Sequence, residues 1–87
     1  MKILEQRQKT HGDFELKAIW IQQIMEDISG LYAWDDMKAD QREAIHMILI
    51  KLSRIIYGDY NYVDHWEDIA GYAQLVVNRL TEEEKQK

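Results

Sequence analysis

The stretch from Gln41 to Tyr57 is the most apolar in the chain, and its apolar residues fall on more than one side of a helix. Ile45, Ile48, Leu49, Leu52, Ile55 and Ile56 recur at helical spacing and form one face. Met47 and Ile50 lie outside that face. A helix apolar nearly all round is buried nearly all round. The chain has 87 residues, which is a single helical domain spanning 1–87. Small domains bury a low fraction of their surface. Three or four short helices cannot enclose such a helix, so the sequence predicts a partner chain, most simply a second copy of itself.

The rest of the chain supplies those helices. There is no proline and there are only four glycines, so long helices can run unbroken. Ile3 to Lys9 reads as a short helix. Thr10-His11-Gly12-Asp13 ends it, with Gly12 suited to positive φ and Asp13 suited to capping the next helix. Phe14 to Ser29 is predicted helical, with Ile21, Ile24, Met25 and Ile28 as its stripe and Gly30 as its stop. Leu31 to Met37 is an aromatic connector expected to pack down. A further helix starts near Lys38 or Ala39 and ends at Gly58. After a tyrosine-rich turn, the last helix runs from about His65 to Leu80, with Ile69, Tyr72, Ala73, Val76 and Leu80 inward. Thr81 to Lys87 is a charged tail expected to fray. The predicted fold is all-α: a small bundle of three long helices plus a short N-terminal one, forming a homo-oligomer.

Composition excludes several functions. With no cysteine there is no disulfide, thiolate metal site or cysteine nucleophile. A net charge of −5 is unsuited to general nucleic-acid binding, which needs phosphate-neutralising Lys and Arg. The N-terminus has no signal-peptide arrangement. No apolar run reaches the roughly 20 residues of a membrane span. A cytoplasmic protein with no membrane partner is expected. There is also no serine nucleophile motif, no phosphate-binding glycine loop and no zinc spacing.

The polar residues that remain each have a structural and a functional reading. Asp64-His65-Trp66-Glu67 fits a capping box, with Asp64 as N-cap and Glu67 at N3. Acids at a helix start are also oxygen ligands for a hard cation such as Mg²⁺. Lys51 and Arg54 are i,i+3 neighbours. Structurally they reach out along an apolar helix and pair with acids such as Asp68. Functionally they form a basic fork for a phosphate, with Arg as the better bidentate partner. Glu43 and His46 share the same spacing. His11 and His65 lie in turns near acids and can act as acid or base. Trp66 and Tyr72 belong to a set of three Trp and five Tyr that is mostly core, though one can stack on a base.

Four segments carry a resemblance: Lys9-Thr10-His11-Gly12-Asp13-Phe14, Gln41-Arg42-Glu43-Ala44, Lys51-Leu52-Ser53-Arg54-Ile55 with Gly58-Asp59, and Asp64-His65-Trp66-Glu67-Asp68-Ile69-Ala70-Gly71-Tyr72-Ala73. Together they resemble a family of small, functionally unassigned phage and prophage proteins, over almost the whole chain. More distantly, the pattern is similar to a phage nucleotide-modification-associated domain and to all-helical nucleotide pyrophosphohydrolases of the MazG type. Those enzymes hold Mg²⁺ with a Glu-x-x-Glu pair and a later Glu-x-x-Asp pair. The corresponding residues here are Glu43 with His46, and Asp64 with Glu67. His46 breaks the first pair, so the resemblance implies a pocket that holds a phosphorylated nucleotide rather than one that cleaves it.

The leading expectation is a phage-derived protein that binds a nucleotide or nucleotide-like signal, sequestering a host defence messenger in the host cytoplasm, with no cofactor. Lys51 and Arg54 take the phosphate, His65 and Asp68 stand at the rim, and Trp66 or Tyr72 lies against the base. One alternative is a Mg²⁺-dependent nucleotide pyrophosphohydrolase with Glu43, Asp64 and Glu67 as metal ligands and Asp68 beside them. The other is an interaction module that inhibits a host protein through its acidic surface.

Overall fold

The computed structural model describes residues 8–86, and all regular structure among them is helical. Three long helices follow one another: α1 (Phe14–Ser29), α2 (Ala39–Tyr57) and α3 (Val63–Lys85). A single 3₁₀ turn, Trp34–Asp36, interrupts the connector between α1 and α2. The short helix expected over Ile3 to Lys9 falls mostly outside the described residues; residues 8–11 are helical. No helix among the described residues is long and apolar enough to cross a membrane.

Local signals set the boundaries. Asp13 caps α1, its Oδ1 accepting the Leu16 N–H at 3.1 Å. Gly12 before it has φ 85, and the helix over residues 8–11 ends there. Gly30 closes α1 at φ −97, without entering the left-handed region. The Lys38 N–H donates to Gln41 Oε1 at 2.9 Å at the start of α2. The connector is held by Arg42, whose Nε and Nη2 donate to the carbonyls of Trp34 and Asp35 at 2.9 and 2.7 Å. Its aromatics do not bury as expected: Tyr32 is fully exposed and Trp34 half-buried beneath the Arg42 guanidinium.

α2 is the central element. α1 and α3 each pack on it, and not substantially on each other. α2 and α3 are antiparallel, clamped along their length by Lys51–Asp68, Asp40–Arg79 and Lys38–Glu83. The result is a flat, elongated molecule of 53 × 27 × 18 Å. Its radius of gyration is 15.3 Å, against about 12 Å for a compact domain of this length.

This flatness explains the thin core. Among the described residues only Ile21, Ala44 and Ile55 are buried apolar side chains. The six residues from Ile45 to Ile50 are all half-buried, and Ile56, expected inward, is exposed. Ile50 lines a cavity against α1, so it does not form the free second side expected of it.

Two expectations about α3 are corrected. The helix begins at Val63, so Asp64 lies inside its first turn and is not the N-cap; Tyr62 holds that position without a side-chain cap. At the other end the helix continues through the charged segment to Lys85, where Glu83 binds both Lys38 and Arg79. The Lys38–Glu83 pair holds the last turns of α3 against the start of α2, and Arg79–Glu83 braces the helix along its own length.

Candidate functional site

One knot of contacts fixes how the helices meet. The backbone of residues 10–12 passes directly against Gly58, and a Cβ built there would lie 2.5 Å from the carbonyls of Thr10 and Arg54. The Thr10 carbonyl accepts the Asp59 N–H at 3.1 Å and His65 Nε2–H at 2.7 Å. His65 is 1% exposed. Its ring packs edge-on to His11 at 4.8 Å and against Tyr62 at 4.7 Å. His11 Nδ1 is in hydrogen-bond contact with Thr10 Oγ1. His65 therefore stands inside the fold as a structural pin, not at the rim of a pocket as expected.

The expected fork of Lys51 and Arg54 is divided between two neighbours. Lys51 is buried and its Nζ reaches Asp68 Oδ2 at 2.9 Å. That hydrogen bond, helped by the charges of Lys51 and Arg54, holds the Asp68 carboxyl below its usual range despite partial burial. Arg54 instead lines a cavity of about 320 Å³ between α1 and α2. Its Nε is buried and donates to nothing. The two residues are three positions apart, which on a helix is a rotation of about 60°. That rotation separates the α3 side of α2 from the α1 side.

The cavity around Arg54 has a consistent chemistry. Lys17, Arg54, His46, Gln22 and Ser53 supply its polar groups, and Phe14 and Ile50 are among its apolar walls. Among the described residues no Asp or Glu lines it, although the chain as a whole carries −5. Lys17 is buried, and it is not without a partner. Cationic side chains beside an apolar wall, with no acid among the described lining residues, are chemically suited to an anionic ligand.

Of the other expected ligand residues, none reaches this cavity. Trp66 is half exposed, its indole N–H donating to the Tyr60 carbonyl at 2.9 Å. Tyr72 lines a different cleft of about 610 Å³ between α2 and α3, with Glu43, Leu75 and Arg79. The residues of the enzyme alternative are not gathered either. Glu43 Oε1 is 3.3 Å from His46 Nδ1, and Asp64 and Glu67 lie on the first turns of α3. Among the described residues no group of three or more His, Asp or Glu side chains is placed to hold a metal ion.

That α1 walls this cavity was not foreseen from the residues of α2 and α3. The signal was present: Lys17 falls on the line Lys17-Ile21-Ile24-Ile28, a cation at helical spacing in an apolar stripe.

Residues 1–80 match the family described as domain of unknown function DUF6378, and the chain belongs to that family. No curated protein and no solved structure matches it.

Proposed function

We propose that the chain, as a member of this family, binds a small phosphorylated ligand of nucleotide type in the α1–α2 cleft and does not turn it over. The observation that carries this is the buried Arg54 Nε without a partner, on a cavity wall where no described residue is an acid. A buried donor left unsatisfied costs about 1–3 kcal/mol, which a phosphate oxygen recovers once the guanidinium turns into the cavity. Arg54 is the anchor, and Phe14 and Ile50 offer surface to a base or other flat ring. Lys51 and Asp68 satisfy each other and support the helix pair from the far side. The phage setting, and the sequestering of a host messenger, extend this proposal from the family resemblance. Self-association belongs to it as well.

The hydrolase alternative is less well supported. Mg²⁺ demands near-octahedral oxygen ligation from carboxylates brought together. Glu43, Asp64 and Glu67 do not form such a set.

Thermal shift with inorganic phosphate and with mono-, di-, tri- and cyclic nucleotides tests the proposal. A true ligand at about a hundred times its Kd stabilises the fold by about 2.7 kcal/mol. Arg54→Ala should abolish that gain while leaving the unliganded protein as stable as the parent or slightly more so. A panel with no stabilised condition, with and without Mg²⁺, overturns it.

A further inference from the structure

α3 carries a second apolar line beside the one it buries. Val63, Trp66, Ala70, Ala73, Val77 and Leu80 recur at alternating intervals of three and four residues, the spacing of a coiled-coil seam. Every one of them is exposed, Val63 at 61%, Trp66 at 51% and Val77 at 50%. No charged residue interrupts the line. It lies roughly 90° round the helix from the inward line of His65, Ile69, Tyr72 and Val76.

α2 carries a related line, half-buried at Ile45, Leu49 and Leu52 and exposed at Ile56. It stands roughly 110° from Ala44 and Lys51, which meet α3. Because α2 and α3 are right-handed and antiparallel, the two lines emerge on the same side of the pair. The opposite side holds the ion pairs Lys51–Asp68 and Asp40–Arg79. The pair is thus polar on one side and apolar on the other.

We infer that a second copy of the chain covers this apolar side, with α3 packing antiparallel against its counterpart about a two-fold axis between Gly71 and Tyr72. The occupant is a second copy for two reasons. The α3 line is its own complement: reversed, it reads the same spacing, setting Ala70 against Ala73, Trp66 against Val77 and Val63 against Leu80. The small residues meet at the centre, where the helices come closest, and the large ones fill the ends. The accessible area agrees. The chain exposes 6663 Å², against about 5,400 Å² for a monomeric protein of its mass. The difference exceeds the ~800 Å² that each partner contributes to a standard interface. This inference uses no residue of the anion cavity and stands apart from the ligand proposal.

Sedimentation of the full chain tests it, with two substitutions that add the same charge to exposed positions of one helix. Ala73→Glu places a carboxylate in the centre of the seam, and Asn78→Glu places one off it. The parent and Asn78→Glu should sediment as dimers at concentrations of order 10–100 μM. Ala73→Glu should keep its helical circular dichroism and self-associate roughly tenfold more weakly or not at all. The chain has no cysteine, so the register can be read by cross-linking. A mixture of Ala70→Cys and Ala73→Cys chains should oxidise to the mixed disulfide in preference to either symmetric one. A parent protein that is monomeric throughout this range, or an Ala73→Glu chain that dimerises like Asn78→Glu, overturns the inference. A preference for symmetric disulfides overturns the antiparallel register.

Discussion

His65 Nε2–H donates to the main-chain carbonyl of Thr10 at 2.7 Å, across 55 residues of sequence. This bond joins the start of α3 to the turn that precedes α1, beside the ring contacts of His11 with His65 and Tyr62. The imidazole fills its site completely, between His11 and Tyr62. His65→Ala removes the donor and leaves a cavity, so a loss of about 2–4 kcal/mol is expected. For a domain of this size each kcal/mol is about 4–8 °C in melting temperature. His65→Gln, which can keep a donor, should lose less. A melting temperature unchanged by His65→Ala would show that the clasp is not what joins these turns.

The same knot makes two glycines irreplaceable and leaves a third free. At Gly12 the backbone has φ 85 and a Cβ would lie 2.5 Å from the Tyr57 carbonyl oxygen. At Gly58 a Cβ meets two carbonyl oxygens at 2.5 Å, both of them backbone and unable to swing away. Alanine at either site should cost about 1–3 kcal/mol or more. Gly71 sits inside α3 with nothing within 4 Å of its Cβ direction. Gly71→Ala should therefore stabilise the protein by about 0.5–1 kcal/mol through helix propensity. Denaturant melts of the three variants give the comparison, and equal losses at all three would contradict this account of the knot.

These elements show what the sequence could and could not disclose. The ends of α1 and α2 were legible because Gly12, Asp13, Gly30 and Gly58 act locally, on their own turns. The start of α3 was misread because Asp64 and Glu67 satisfy a capping pattern that the backbone, entering the helix at Val63, does not use. The site was half legible. Arg54 was visible as a cation on an apolar helix, but its spacing to Lys51 could not say that α3 would take one and α1 the other. Spacing along one helix records angles around that helix. It does not record which neighbour occupies each angle. His65 looked like a free acid or base for the same reason: its partner is a carbonyl supplied by the turn before α1.

The reassigned helix start has a measurable consequence. Asp13 Oδ1 accepts a backbone N–H and Asp64 caps nothing. Asp13→Ala should cost about 1 kcal/mol. Asp64→Ala should cost only its interaction with the helix dipole, about 0.3–1 kcal/mol and reduced by salt. Chemical denaturation at low and high ionic strength separates them. An Asp64→Ala loss larger than that of Asp13→Ala, and insensitive to salt, would restore Asp64 as the cap.

The antiparallel clamp between α2 and α3 should weaken in acid. Asp68 is held below its ordinary carboxylate range by Lys51, Asp40 by Arg79, and Glu83 by Lys38 first and Arg79 second. Each group therefore gives up its proton at a lower pH in the folded protein than in the unfolded chain. Between those two values the unfolded chain binds more protons, so stability rises with pH. The contribution is complete above the ordinary carboxylate pKa, about 4. It disappears as pH falls through the lower, folded-state values. The melting temperature should thus gain nothing from these pairs between pH 5 and 7 and should fall below about pH 4. Arg79→Met removes the partner of Asp40 and one partner of Glu83 at once. Asp40 and Glu83 are well exposed, and exposed pairs contribute little, so the change at neutral pH should be small. What should change is the slope: the acid limb of the Arg79→Met curve should be shallower than the parent's. Parallel acid limbs would mean that the Arg79 pairs do not carry the linkage, leaving Lys51–Asp68 and Lys38–Glu83 as its sources.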